Sequence, residues 1–319
     1  MKYIETFKDG DNVSDVYFVK QKTSAMTKNG KPYDNVILQD KTGTIDAKIW
    51  DPNSAGIDDF EALDYVFVQA QVVIFNSTPQ LNVKRVRKCS EGEYNEADYL
   101  PVSKKNIDEM FASIIKYVDS IKSPYLKKLL QMFFVEDKEL IERFKKNSAA
   151  KSVHHGFVGG LLEHTLSVTN MCNYYTSAYP VLNRDLLLTA AMLHDIGKIK
   201  EISLFPMNDY TDEGQLLGHI VMGCEMIGER VRKMEGFPVK LETELKHCIL
   251  AHHGEYEFGS PKKPALVEAI ALNFADNTDA KLQVMTEIFD GTTENGWLGF
   301  NRFVDSNIRK TSPLEEKPL

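Results

Sequence analysis

The sequence predicts a multidomain α+β protein, in which a small five-stranded β-barrel precedes an all-α domain. Residues 1–95 alternate apolar and polar side chains with a period of two and contain strong turn signals. From Ser103 onward, apolar residues recur with helical spacing. The histidines are concentrated in this helical part, together with aspartates, and this combination is typical of a metal site.

Five strands are predicted in the first part of the chain. Asn29-Gly30 is a strong hairpin signal, and Ile45, Ala47 and Ile49 alternate with polar residues as in a half-buried strand. A short helix is expected at Asp58–Leu63, between the third and fourth strands. This order of elements matches a five-stranded Greek-key barrel of the OB type. The predicted strands are Val13–Lys22, Val36–Leu38, Thr44–Trp50, Tyr65–Phe75 and Gln80–Lys88.

Such barrels bind single-stranded nucleic acid through stacked aromatic residues and a basic groove. The candidates for base contacts are Tyr33, Trp50 and Phe75. The candidates for phosphate contacts are Lys48, Lys84, Arg85, Arg87 and Lys88. Two other interpretations stay open: the aromatic residues belong to the barrel core, and the basic run is a solvated strand face. An OB barrel can also bind protein.

The helical part divides at several capping and breaking residues. Ser123-Pro124 begins the second helix, Asn183 caps the apolar helix Leu186–Leu193, and Gly254 ends a later one. We expect further helices over residues 107–121, 136–144, 164–179, 215–234, 239–251 and 264–281. The predicted organisation is a barrel at 1–90, a linker at 91–102, a helical connector at 103–150, a metal-dependent domain at 151–285 and a C-terminal extension at 286–319.

Histidines and aspartates recur at helix ends and along helices in the predicted metal-dependent domain. Imidazole and carboxylate donors without thiolates favour Mn²⁺, Fe²⁺, Co²⁺ or Zn²⁺ over copper, and the carboxylates are also compatible with Mg²⁺. Asp195 has two oxygens and is suited to bridge two ions. The candidate ligands are His164, His194, Asp195, His219, His252, His253 and Asp276.

This series resembles the HD phosphohydrolase superfamily, and the match is carried by His164, His194-Asp195 and Asp276. The additional His219 and His252-His253 resemble its two-metal branch. The resemblance implies that His164, His194, Asp195 and Asp276 hold one ion. A second ion would share Asp195 and use His219 and His252, with His253 a ligand or an outer donor. Asp279, one turn beyond Asp276, competes for the same role.

Three residues are candidates for the chemistry itself: Asp195, Lys198 and His253. Lys198 follows the His-Asp pair closely and is suited to neutralise a substrate phosphate. His247 is left out, because it lies about 140° from the ligand face of its helix. His154 and His155 precede a Gly-rich turn; lining of the site stays an alternative, but we expect both to be exposed to solvent. Two close divalent ions that activate water predict hydrolysis of a phosphoester.

Composition restricts the classes of binding partner and the cellular compartment that we expect. The net charge of −8 argues against a protein that coats nucleic acid non-specifically, but not against a catalytic encounter with it. The four cysteines form no Cys-x-x-Cys pair, which is typical of a reducing compartment. There is no apolar run long enough to span a membrane and no secretion signal, so we expect a cytoplasmic protein.

An OB-like barrel followed by an HD domain resembles the YhaM-type 3′–5′ exoribonucleases of Gram-positive bacteria. The resemblance implies a Mn²⁺-favouring enzyme whose barrel holds single-stranded RNA, and also DNA, and feeds a 3′ end to the metal site. The products would be nucleoside 5′-monophosphates. The 3′ polarity and the ribose preference come from the resemblance alone.

Two alternatives stay open. One is an HD enzyme that hydrolyses a small nucleotide, with a regulatory barrel; the missing Gly-Tyr-Pro after His252-His253 argues against its cyclic-dinucleotide form. The other is a non-catalytic single-strand-binding protein with a structural metal. In the C-terminal extension, Trp297–Phe300 and Phe303 are apolar enough to pack on the helical domain or on another subunit, so a homo-oligomer also stays open.

Overall fold

The computed structural model describes residues 1–27, 29–75, 78–151 and 155–312. The chain forms two compact units. The first comprises Met1–Val102 together with Leu204–Asn208, and the second comprises Ser103–Ser203 together with Asp209–Leu319.

The first unit is a closed five-stranded barrel. Its strands are β1 (Asn12–Met26), β2 (Pro32–Asp40), β3 (Gly43–Ile49), β4 (Tyr65–Phe75) and β5 (Thr78–Lys88). Around the barrel they follow the order β1-β2-β3-β5-β4, with a parallel β3–β5 pair and antiparallel pairs elsewhere. Alternate residues such as Val36, Leu38, Ala47 and Ile49 fill the interior. The predicted OB-type barrel is confirmed.

The helix predicted at Asp58–Leu63 is wrong, because this segment consists of turns and extended chain. Ile57 forms an isolated bridge with Val86 on β5, and Phe60 is buried in the barrel core. Leu63 has a φ of +76°, outside the helical region. The bridge at Ile57 and the burial of Phe60 hold this segment in a non-helical path along the barrel.

Residues 91–101, predicted to be a linker from their acidic composition, pack on the barrel. The ring of Tyr94 stacks on Tyr65 with centroids 3.7 Å apart, and Tyr99 meets Tyr65 edge-on at 5.1 Å. The backbone oxygen of Tyr99 accepts a hydrogen bond of 3.1 Å from Gln39. Two tyrosines therefore anchor a segment whose other side chains are mostly polar.

The second unit is helical. Its helices are α1 (Ile107–Ser120), α2 (Pro124–Phe134), α3 (Lys138–Lys146), α4 (Gly160–Ala178), α5 (Arg184–Leu193), α6 (Lys198–Glu201), α7 (Asp212–Val231), α8 (Val239–Leu250) and α9 (Val267–Asp290). The α-helical domain predicted from the sequence is confirmed. The short α6 was not predicted, and α9 continues beyond its predicted end at residue 281. In the described part of the chain, no helix combines the length and the apolar composition needed to cross a bilayer.

Helix α5 is the centre of the helical unit. Asn183 caps it by accepting a hydrogen bond from the Leu186 amide at 3.2 Å, as the sequence predicts. Every residue from Leu186 to Leu193 is buried, and the helix packs against α4, α8 and α9. Because α5 ends inside this packing, the residues that follow it lie in the interior of the unit.

A β-hairpin follows α9. It consists of β6 (Trp297–Asn301) and β7 (Ser306–Arg309). Ile308 is buried, whereas Trp297, Phe300 and Phe303 are exposed. The aromatic residues of the predicted C-terminal extension thus do not pack into the core of this chain.

Candidate metal centre

Four side chains from three helices meet in the helical unit. His164 lies on α4, His194 and Asp195 follow the end of α5, and Asp276 lies on α9. His164 Nε2 is 3.1 Å from His194 Nε2, 3.4 Å from Asp195 Oδ2 and 3.2 Å from Asp276 Oδ1. Ligands bound at about 2.0–2.2 Å from one ion have neighbouring donor atoms at such separations. We call these four residues the first ligand cluster.

Three more histidines lie on the other side of Asp195. His219 Nε2 is 3.4 Å and His252 Nε2 is 3.7 Å from Asp195 Oδ1. His253 joins them, since the ligand atoms of these three histidines all lie within 4.8 Å of one another. We call His219, His252, His253 and Asp195 the second ligand cluster.

The arrangement around Asp195 fits divalent cations. Its Oδ2 faces the first ligand cluster and its Oδ1 faces the second. Asp195 Oδ1, His219 Nε2 and His252 Nε2 are fully buried and have no hydrogen-bond partner within the described part of the chain. A buried donor or acceptor left unpaired is costly, and a bound ion would satisfy all three atoms at once.

Hydrogen bonds to backbone carbonyls orient three of the histidines. The Nδ1 atoms of His194, His252 and His253 are 2.7–2.9 Å from the carbonyl oxygens of Ala191, Ile249 and Phe258, respectively. A carbonyl can only accept, so the proton lies on Nδ1. The lone pair of each ring is therefore on Nε2, the atom that a metal ion requires.

Carboxylates orient the other two histidines. His164 Nδ1 donates to Asp279 Oδ2 at 2.7 Å, and His219 Nδ1 donates to Glu201 Oε1 at 3.0 Å. Asp279 thus lies on the far side of the His164 ring from Asp276, and the geometry favours Asp276 as the ligand. Glu201 was not predicted from the sequence. The one signal for it is its position about one helical turn after Lys198.

Burial and nearby carboxylates shift the pKa values of the histidines of the centre in different directions. Burial lowers the pKa of His164, but its hydrogen bonds with Asp195, Asp276 and Asp279 outweigh burial and raise this pKa well above its usual range. Burial, with the neighbouring His253, holds the pKa of His252 well below its usual range. Burial also lowers the pKa of His194. Burial raises the pKa of Asp195, but the charges of Lys198 and His194 outweigh it and the pKa falls well below the usual range. Neutral imidazoles at His194 and His252 and an ionised carboxylate at Asp195 are the ligand forms that metal ions bind.

Lys198 points into the centre. Its Nζ is 2.7 Å from Asp195 Oδ2, and its side chain is 14% exposed. Burial lowers its pKa, but the nearby Asp195 carboxylate raises it above the ordinary value. The ammonium group predicted to meet a substrate phosphate is therefore charged and lies beside the Asp195 carboxylate.

Glycines allow the close approach of the ligand-bearing segments. A Cβ on Gly197 would lie 2.0 Å from the backbone oxygen of His219, so only glycine fits where α6 meets α7. Gly218, with φ of +74° and ψ of 156°, kinks α7 just before His219. Gly254, predicted to end α8, has a φ of +80°, and Asn273 Nδ2 donates to the nearby His252 oxygen at 2.7 Å.

The remaining histidines divide into three cases. The expectation that His155 is exposed is wrong: it is 1% exposed, because its Nε2 bonds Asp279 Oδ2 at 2.9 Å. His154 lies outside the described residues. His247 stays outside both clusters, as predicted, and its Nε2 accepts a hydrogen bond from the Ala265 amide at 2.9 Å.

The barrel presents an aromatic and basic surface on β2 and β3. Tyr33 and Trp50 stack with centroids 5.4 Å apart and an interplanar angle of 27°, and Trp50 is 52% exposed. Lys48 hydrogen-bonds Asn35, and its Nζ lies 5.9 Å from the Tyr33 ring. We call Tyr33, Lys48 and Trp50 the barrel face.

The basic run on β5 is only partly available for phosphates. Lys84 and Arg85 are exposed. Arg87 forms a bidentate pair with Glu93 at 2.8 and 2.9 Å. Lys88 pairs with Asp64 at 2.8 Å. The remaining aromatic candidate, Phe75, is exposed beside Thr78 in the β4–β5 hairpin.

Comparison with known proteins identifies both the domain and the family. Residues 161–281 match the HD domain family, and they include every ligand of the two clusters. The chain is 36% identical over 279 residues to 3′–5′ exoribonuclease YhaM of Bacillus subtilis, covering 86% of this chain and 87% of that protein. For YhaM of Bacillus velezensis the identity is 35% with the same coverage, and for that of Geobacillus sp. it is 33% over 287 residues, covering 89% and 87%.

Among solved structures, the second OB-fold domain of replication protein A from Methanococcus maripaludis aligns with a TM-score of 0.23 and 16% identity, covering 29% of this chain and 98% of that domain. The resemblance predicted from the sequence is confirmed by the curated relatives. The chain belongs to the family of the 3′–5′ exoribonucleases YhaM.

Proposed function

We propose that this protein is a metal-dependent 3′–5′ exoribonuclease that hydrolyses single-stranded RNA and releases nucleoside 5′-monophosphates. The observation that carries the proposal is Asp195, whose two oxygens each face a separate set of imidazole or carboxylate donors. This arrangement supports two ions that share one carboxylate. The RNA substrate and the 3′ polarity are supported by the names of the relatives.

The imidazole and carboxylate groups of the two ligand clusters would hold the ions. His164, His194, Asp195 and Asp276 would bind one, and Asp195, His219, His252 and His253 the other. When bound, two divalent ions lower the pKa of a bridging water and stabilise negative charge on phosphoryl oxygens. We propose Mn²⁺ as the ion because the family resemblance implies it, and Co²⁺, Fe²⁺, Zn²⁺ or Mg²⁺ are compatible with the same donors.

Two side chains act on the substrate in this proposal. The Lys198 ammonium, fixed beside Asp195, neutralises a non-bridging oxygen of the scissile phosphate. His253 is less buried than His252 and belongs to the second ligand cluster, where it either holds the second ion or, as an outer donor, contacts the substrate. A water oxygen bonds to phosphorus and the bond from phosphorus to the 3′ oxygen breaks. That oxygen leaves with a proton, and the terminal nucleotide keeps its 5′ phosphate.

The barrel supports binding of a single strand. The stacked pair of half-buried Tyr33 and exposed Trp50 offers ring faces to unpaired bases, and Lys48, Lys84 and Arg85 offer charge to phosphates. Arg87 contributes less, since Glu93 already binds its guanidinium group. Base stacking does not distinguish ribose from deoxyribose, so we expect single-stranded DNA to bind as well.

A gel time course on a 5′-labelled single-stranded RNA tests the proposal. With Mn²⁺ the label should move through successively shorter products, because nucleotides leave from the 3′ end. EDTA should stop the reaction, as should Asp195→Asn, which keeps the shape of the side chain but removes its charge. His247→Ala, which changes a histidine outside both clusters, should leave the rate unchanged. An RNA that stays intact with Mn²⁺, or a label released first as a mononucleotide, would contradict the proposal.

A further inference from the structure

We propose that two carboxylates outside the ligand set, Asp279 and Glu201, are positioning residues that set the affinities of the two ion positions independently. Asp279 would control the first ligand cluster through His164, and Glu201 the second through His219. This inference rests on the two-ion part of the proposed function.

Asp279 fixes the ring of His164. Its Oδ2 accepts the Nδ1–H of His164 at 2.7 Å, and the same oxygen accepts a second hydrogen bond of 2.9 Å from His155. The carboxylate is almost completely buried. Held from two sides, it presents a fixed acceptor, so the His164 lone pair stays on Nε2 and points toward Asp195 and Asp276.

Glu201 fixes both the backbone and the ring of His219. Its Oε1 accepts hydrogen bonds from the His219 amide at 2.9 Å and from Nδ1 at 3.0 Å. The amide is free for this bond because Gly218 breaks the regular path of α7. The kink and the carboxylate together direct His219 Nε2 to the unpaired Asp195 Oδ1.

Each ligand cluster has one histidine whose Nδ1 is held by a carboxylate. The other three histidines are held by backbone carbonyls, which no side-chain substitution can remove. A carboxylate partner also makes the imidazole a stronger electron donor, and loss of such an outer partner typically weakens metal binding by about 10- to 100-fold.

The two carboxylates have no histidine in common. Glu201 ends the short helix α6, whereas Asp279 lies on the long helix α9. The only ligand common to both clusters is Asp195, which neither carboxylate contacts among the described interactions. Removing one carboxylate should therefore leave the other ion position intact.

The test measures Mn²⁺ binding alone, without RNA, by equilibrium dialysis with metal analysis and by electron paramagnetic resonance. The wild-type protein should bind two ions with the spectrum of a coupled pair. Glu201→Gln and Asp279→Asn should each weaken one ion by about 10- to 100-fold and leave a spectrum of isolated Mn²⁺. An amide can donate to Nδ1, which would move the imidazole proton to Nε2 and block the lone pair.

Double variants assign each carboxylate to its ion. In a His219→Ala background, Glu201→Gln should cause no further loss, because its histidine is already gone, whereas Asp279→Asn should weaken the remaining ion. In a His164→Ala background, Asp279→Asn should cause no further loss, whereas Glu201→Gln should weaken the remaining ion. Glu268→Gln is the matched control: this buried carboxylate binds the Asn183 amide at 2.7 Å and contacts no ligand.

Three results would overturn the inference. The first is unchanged affinity of both ions in the two single variants, and the second is equal weakening of both ions in each. The third is an additive effect of Glu201→Gln and His219→Ala. A wild-type stoichiometry of one ion would overturn the two-ion proposal as well, whereas two bound ions without cleavage of RNA would contradict only the exoribonuclease assignment.

Discussion

Asp195 illustrates how far single residues could be predicted. Its role as a bridge was expected from two carboxylate oxygens beside a histidine, and both oxygens face donor sets in the structure. Glu201 and the buried position of His155 were not predictable in the same way. Their hydrogen-bond partners are 18 and 124 residues away in the chain, so only the folded structure brings them together.

Lys198→Met should separate catalysis from metal binding. The variant removes the ammonium that neutralises substrate phosphate, and loss of one such group typically lowers kcat by about 10²–10³-fold. Mn²⁺ affinity should not fall, because Lys198 competes with an ion for Asp195 Oδ2. Steady-state rates at saturating Mn²⁺, with metal content measured in parallel, check this. Lys200→Met, on the exposed side of α6, should behave as wild type; a similar loss there would contradict the assignment.

Trp50→Ala should weaken RNA binding without changing metal binding. Each stacked base contributes about 1–3 kcal/mol, which corresponds to a Kd increase of roughly 5- to 150-fold. Fluorescence anisotropy with labelled RNA in EDTA measures binding without cleavage. Trp297→Ala, which changes the other exposed tryptophan, is the control. Equal affinities for wild type and Trp50→Ala would show that the barrel face does not bind the strand.

At the scale of elements, periodicity and capping residues predicted most of the fold. The strand β4 has the predicted limits, and α5 begins at its predicted cap. The segment 58–63 was predicted wrongly because Phe60 is fixed in the barrel core, which the local sequence does not show. Helix α6 has only four residues, too few to show a period. The kink of α7 was also missed, since a single glycine does not reveal its backbone angles.

Gly218→Ala tests the kink directly. Its φ of +74° and ψ of 156° lie in a region used almost only by glycine, and another residue there costs about 1–3 kcal/mol. A Cβ would have room, since its nearest neighbour is Glu201 Oε1 at 3.8 Å, so the cost is in the backbone. We expect a lower free energy of unfolding in urea and weaker binding of the ion that His219 holds.

Gly223→Ala on the same helix is the matched control. Its Cβ would meet its nearest neighbour, the Gly197 nitrogen, at an ordinary 3.5 Å, and no positive φ is present. Alanine should therefore leave stability unchanged or raise it by about 0.5–1 kcal/mol. If both variants lost the same stability, the special conformation of Gly218 would not be the cause.

For the whole molecule, the net charge of −8 limits the electrostatic contribution to RNA binding. Two of the cations on β5, Arg87 and Lys88, are paired with Glu93 and Asp64, which leaves Lys48, Lys84 and Arg85 as the candidates for phosphate contacts. With about three phosphate contacts, the slope of log K against log salt should be about −2 for a single strand.

Anisotropy titrations in EDTA at several salt concentrations measure this slope. Lys84→Gln should reduce its magnitude by about 0.7, while Arg87→Gln should leave it nearly unchanged. A slope much steeper than −2, or an equal effect of the two variants, would show that other cations carry the contact.

The central claim is that water, activated at the Asp195 centre, cleaves the last phosphodiester bond of RNA. The most direct test is a single turnover on RNA with Mn²⁺ in H₂¹⁸O, with mass spectrometry of the first product. We predict a nucleoside 5′-monophosphate that carries one ¹⁸O in its phosphate and is absent with Asp195→Asn. A nucleoside 3′-monophosphate, a nucleoside diphosphate or a 5′-monophosphate without ¹⁸O would contradict the account.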